Sequence, residues 1–136
     1  MTWEDRLAQM LGRPVQFIES PIPDTAGQAH MSLQFAGGAT LDFGYWRALD
    51  QTGAVFSSFD HEQLYGMPEK FDAKASFMAF VGNKNCEAIE ISSETADIVV
   101  QFESNHRIEI FAFTSYEMWT FRFPDGAADY SNHHRC

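Results

Sequence analysis

Positive charge is what this chain has least of. Nine Lys and Arg stand against 19 Asp and Glu, a formal net charge of −10. Such a surface repels phosphate backbones, which argues against nucleic acid and suits a basic protein partner. Long apolar runs are missing as well: no stretch approaches the ~18 residues a membrane span needs. The opening residues, MTWEDRLAQM, carry acids and lack the apolar centre of a secretion signal. The expected location is therefore the cytoplasm, with no membrane contact. Cysteine is limited to Cys86 and Cys136, without a CxxC or Cys/His zinc spacing. Cys86 alternates with apolar residues and reads as a small buried hydrophobe. Gly-rich phosphate loops, a Walker lysine, a GxSxG elbow and HExxH are all lacking. No catalytic residue, metal or cofactor is expected on this reading, which leans away from an enzyme.

What the chain does have is apolar and aromatic. Hydrophobic residues make up 45% of it, with 13 Phe, enough for one core in a domain of 136 residues. Thr2, with Asp5 three residues on, opens an amphipathic helix over residues 3–11. Gly12 stops it, and Val15, Phe17 and Ile18 suggest a short strand. Met31, Leu33 and Phe35 alternate with polar residues, as do Leu41, Phe43 and Tyr45. The Ala36-Gly37-Gly38 turn between them marks a hairpin. Residues 54–59 form a weaker strand, and 60–70 read as a polar connection. Asp72 caps a second helix over 73–81. Ile89 and Ile91 point inward on the strand that follows. Ile98, Val100 and Phe102 then turn through Ser104-Asn105 to Ile108 and Ile110. A last strand begins near Tyr116, and residues 127–136 read as a flexible tail.

Shifting the first hairpin by 67 positions lays it on the second. Met31, Leu33 and Phe35 meet Ile98, Val100 and Phe102, while Leu41 and Phe43 meet Ile108 and Ile110. The expected fold is α+β and mainly antiparallel sheet, with two short helices in a single domain over residues 1–126. Its plan is a duplicated α-β-β-β(-β) unit with pseudo-two-fold symmetry, the halves spanning about 2–59 and 71–123. Each half alone is too small to bury its apolar face, so the two are expected to pack together.

Aromatics beside arginine are typical of contact hot spots. Tyr45, Trp46 and Arg47 end the first hairpin, and Tyr116, Glu117 and Trp119 open the last strand; these six are the binding candidates. Alternation places Glu117 on the apolar face of Trp119, Phe121 and Phe123, where it needs Arg47 or Arg122 as a partner. His61, beside Asp60 and Glu62, reads as part of a solvated loop. His133, His134 and Cys136 are types able to bind a stray transition metal, but on a flexible tail no physiological metal site is expected.

The run Val100-Gln101-Phe102, Ile108-Glu109-Ile110, Tyr116-Glu117-Met118-Trp119 resembles a pattern in small uncharacterised bacterial domains, some of them thought to be immunity proteins of polymorphic toxin systems. It covers about 30 residues. The hairpin turn here is Ser104-Asn105-His106, where those domains usually show Gly. The resemblance implies a bacterial cytoplasmic protein that acts by binding, and it brings no catalytic residues. The expected function is a non-enzymatic acidic binding protein for a basic, toxin-like partner. Two alternatives stand beside it: a small-ligand binder or enzyme with a site between the halves, and a homodimeric structural or adaptor protein.

Overall fold

The computed structural model describes residues 1–133. Helix α1 (Trp3–Met10) starts at Thr2 with the reciprocal box expected: the Thr2 hydroxyl accepts from the Asp5 N–H, and the Asp5 carboxylate accepts from the Thr2 N–H. Helix α2 (Ala73–Val81) is capped by Asp72, whose carboxylate accepts from the Ala75 N–H. The strands are β1 (Arg13–Pro14), β2 (Gln16–Ile18), β3 (Met31–Gln34), β4 (Thr40–Phe43), β5 (Trp46–Asp50), β6 (Gly53–Ser57), β7 (Asn85–Ile91), β8 (Ile98–Phe102), β9 (His106–Ile110), β10 (Trp119–Arg122) and β11 (Ala128–Tyr130). All pairings are antiparallel. The class is thus α+β, mostly sheet.

Both expected hairpins form, with Leu33 opposite Leu41 and Val100 opposite Ile108. Gly37 and Gly38 turn the first at φ 91° and 95°. Ser104 and Asn105 turn the second at φ 67° and 59°. Left-handed backbone is what both turns require, and Asn tolerates it better than most side chains. In β7 a bulge between Cys86 and Ala88 lets Cys86 and Ile89 both face the core, which strict alternation forbids.

The strand order is β1-β7-β8-β9-β5-β6 in one sheet and β11-β10-β4-β3-β2 in the other. Each sheet therefore joins three consecutive strands of one half of the chain to the last two of the other half, and the six-stranded sheet adds β1 at its edge. The crossing pairs correspond: Trp46 faces Ile110 where β5 meets β9, and Trp119 faces Phe43 where β10 meets β4. One cluster of buried side chains draws on both sheets and both helices. Phe77 of α2 sits within it, 5.8 Å from Phe17, 6.0 Å from Phe43 and 4.8 Å from Trp46 between ring centroids. It thus bridges the two sheets.

Two expectations are corrected. Residues 128–133 are not a tail. Gly126, at φ 89°, donates to the Phe123 carbonyl, and Phe123 donates to that of Ala127. Pro124-Asp125-Gly126 is thus a hairpin turn that returns the chain as β11. A 3-10 turn at Ser131–His133 follows, with Ser131 fully buried. The last strand also starts later than expected, at Trp119, because residues 111–118 run as a loop. The proposed metal types His134 and Cys136 lie outside the described residues.

Candidate functional site

Trp46 and Trp119 are core residues, 0% and 1% exposed. A buried indole must find an acceptor. That of Trp46 donates to the Ala29 carbonyl at 2.8 Å, and that of Trp119 to the Ala96 carbonyl at 2.7 Å. Each Trp backbone N–H is met by a serine hydroxyl 12 residues on: Ser58 for Trp46 at 3.1 Å, and Ser131 for Trp119 at 3.4 Å. The two ends of the molecule therefore share one plan of Ala, Trp and Ser, the Trp and Ser pairs standing 73 positions apart (46 to 119, 58 to 131).

Glu117 does not share the apolar face expected for it. It lies ahead of β10 and is exposed, and Tyr116 beside it is 80% exposed. Neither expected arginine partner is free for it: Arg47 pairs with Glu109, and Arg122 reaches Asp42 at 3.7 Å. Trp46, Trp119 and Glu117 thus do not line a common pocket.

With Trp46 inward, strand alternation turns its neighbours outward, and there the structure gathers a surface the sequence reading missed. The Tyr45 ring packs 5.6 Å from Phe59 and 5.0 Å from Phe113, both about half exposed. The Arg47 guanidinium lies over the Phe111 ring, 5.3 Å from its centroid. Arg47, Val55, Phe59, Asp60 and Phe111 line an open groove of about 390 Å³ along β6. A second groove, about 370 Å³, adjoins it and is lined by Leu64, Tyr65, Met67 and Phe71. The two share a wall: Phe56 packs 5.9 Å from Phe71, and the Tyr65 hydroxyl donates to Asp60, which pushes the phenol pKa up.

The loop behind the second groove is closed on itself. Glu62 N–H donates to the Phe71 carbonyl at 2.8 Å, and Phe71 N–H to that of Gln63 at 2.9 Å. Glu62 and Tyr65 both hold left-handed backbone, at φ 63° and 49°. Leu64, Tyr65 and Met67 at its tip are 49 to 69% exposed. The signal available in the sequence was three large apolar residues within a Gly- and Pro-bearing segment that otherwise reads as a polar connection.

No family model, curated protein or solved structure matches this chain. Its chemistry must be read from its own groups. Among the described residues no three His, Cys, Asp or Glu side chains converge as metal ligands. Burial pushes the Cys86 thiol up to about 12, so it is a poor nucleophile.

His61 is buried rather than solvated, because its Nδ1 accepts the Ala73 N–H at the start of α2. His30 is also buried. Its Nδ1 shares a hydrogen bond with the Ser20 hydroxyl, and its backbone N–H donates to Asp24. Asp24 in turn pairs with Lys74 of α2 at 3.1 Å. This cluster fastens the 19–30 loop. Desolvation holds His30 below its ordinary pKa of 6.5, against the opposing pull of Asp42 and Asp24 and with a small push from Lys74. A depressed histidine pKa means the unfolded chain takes up the proton first. Stability is therefore expected to be full above pH 6.5 and to fall as pH drops from there through the lower folded pKa. Thermal melts at pH 7.5 and 5.5 check this. The wild type should lose more on acidification than His30→Gln, and equal losses would remove His30 as the cause.

Proposed function

We propose that this chain is a non-enzymatic acidic binding protein, immunity-like in its mode of action, that engages a basic protein partner in the bacterial cytoplasm. Its scaffold is read as a duplicated unit whose halves exchange their last two strands about a pseudo-two-fold. The repeated pairings across the two sheets support the duplication, as do the matching Ala, Trp and Ser contacts. The observation that carries the binding reading is the exposed aromatic surface around Tyr45, Phe59 and Phe113, on a molecule of net charge −10. Exposed apolar patches on a well-packed domain mark contact sites. An acidic field around such a patch selects partners of opposite charge and speeds their approach.

Panning a random peptide library on the immobilised protein tests the reading. Enrichment of Lys- and Arg-rich sequences is expected. The association rate of the best synthetic peptide should fall at least about tenfold from 50 to 300 mM salt. Sequences without basic enrichment, or association indifferent to salt, would sink it.

A further inference from the structure

We infer that the two joined grooves beside β6 form the docking surface, and that their occupant is a polypeptide segment with one large apolar anchor flanked by Lys or Arg. The inference rests on the binding reading above and gives it an address. Three observations point to this surface.

The first is concentration. Of the eleven large apolar side chains exposed among the described residues, six belong to this surface: Val55, Phe59, Leu64, Tyr65, Met67 and Phe113. They are physically continuous. Tyr45 links Phe59 to Phe113, Val55 and Phe59 line one groove, and the Asp60–Tyr65 and Phe56–Phe71 contacts join it to the other.

The second is an internal control supplied by the molecule itself. The β5–β6 and β10–β11 pairs share a register where they begin, Arg47 opposite Ser57 and Thr120 opposite Tyr130, and part at a bulge after Ala48 that sets Leu49 opposite Ala54 where Arg122 meets Ala128. At the positions corresponding to Tyr45 and Phe59, the β10–β11 end has Met118 and Asn132. That end forms the corresponding strands and the same buried Trp hydrogen bonds with Asn132 where Phe59 stands, and its exposed aromatic, Tyr116, lies on the preceding loop. The fold therefore does not require Phe59 to be apolar, and Val55 sits at a bulge that the β10–β11 pair lacks. The remaining members lie on segments outside the shared strand plan. Only Gly44 and Tyr45 separate β4 from β5, whereas residues 111–118, including Phe113, separate β9 from β10. Leu64, Tyr65 and Met67 lie on the closed loop between the halves.

The third is charge. Residues 45–72 contain Asp50, Asp60, Glu62, Glu69 and Asp72 against Arg47 and Lys70. Glu62 and Glu69 are exposed at the second groove's loop, while Arg47 pairs with Glu109, which Arg107 also approaches at 3.6 Å. An acidic rim favours a basic segment. It disfavours a second copy of this chain, which would bring −10 against −10. The closed loop holds its apolar tip in place before binding, which lowers the entropy cost of ordering it on contact.

The test is amide NMR of the ¹⁵N-labelled protein titrated with three synthetic decapeptides. One has a Leu-Phe anchor flanked by Lys and Arg, one has the same anchor flanked by Glu, and one is basic without an anchor. The library-selected peptide is run beside them. The expected result is shifts centred on Tyr45, Phe59, Tyr65, Met67 and Phe113 with the basic anchored peptides. The other two should bind at least about tenfold more weakly. A Phe59→Ser/Tyr65→Ser variant should lose at least about 30-fold in affinity while melting within a few degrees of wild type. Met78→Ser, an exposed apolar change on α2, should change affinity less than about twofold. Salt-sensitive binding with shifts on another face overturns the docking surface and leaves the binding reading standing. Equal binding of the Glu-flanked peptide overturns the basic occupant. Concentration-dependent shifts at the same residues without peptide would assign the surface to self-association instead. A library without basic enrichment removes the binding reading and the docking surface together.

Discussion

Trp46→Ala and Trp119→Ala are each expected to cost about 3–5 kcal/mol of folding stability, measured by urea denaturation. Each side chain is fully enclosed, and each indole supplies a hydrogen bond to a buried region of backbone. Truncation therefore opens a cavity and also leaves the Ala29 or Ala96 carbonyl without its donor. Against a typical total of 5–15 kcal/mol, either change removes a large share of the margin. Because the two ends share one arrangement, the two costs should agree within about 1.5 kcal/mol, roughly the worth of one hydrogen bond. A much larger gap would show that the two ends do not carry equal loads. Trp→Phe at either site helps divide the contributions, since it deletes the donor while losing much less packing volume than Trp→Ala.

Phe77→Ala should be as severe, about 3–5 kcal/mol by the same measurement. This ring touches Phe17 and Phe43 in the five-stranded sheet and Trp46 in the six-stranded one. Removing it empties the contact between α2 and both sheets at once. Its nearest ring is Trp46, at 4.8 Å, so Phe77→Ala and Trp46→Phe should couple rather than add, by about 0.5 kcal/mol or more in a double-mutant cycle. Strict additivity would mean that the two rings pack independently.

The local elements were largely legible in the residues, for physical reasons. The Thr2 and Asp72 caps and the period-two hairpins are short-range signals, and each is where the pattern placed it. The crossing of the strand order between the two sheets was not legible. Alternation says which way a side chain points but nothing about which strand lies alongside, and β5 pairs with β9 across some 60 residues. The candidate site was misread for a related reason. Tyr45, Trp46 and Arg47 look like one aromatic-cationic cluster in sequence, yet a strand sends the middle residue inward and its neighbours outward. Glu117 was assigned a face by extending the alternation of β10 two residues too far. Leu64, Tyr65 and Met67 gave no periodic signal, because a loop closed by backbone hydrogen bonds has no fixed period.

The crossed strand order also governs the order of events during synthesis. Strand β5 can pair at once with β6, but its other side finds its neighbour only when β9 appears. The free side of β4 stays open until Arg122 has left the ribosome. Neither sheet can be completed by the first half alone, so the nascent chain carries bare strand edges through most of its length. The finished protein is stitched in both directions through its middle, and its last strands to be made are the ones that close the first sheet begun.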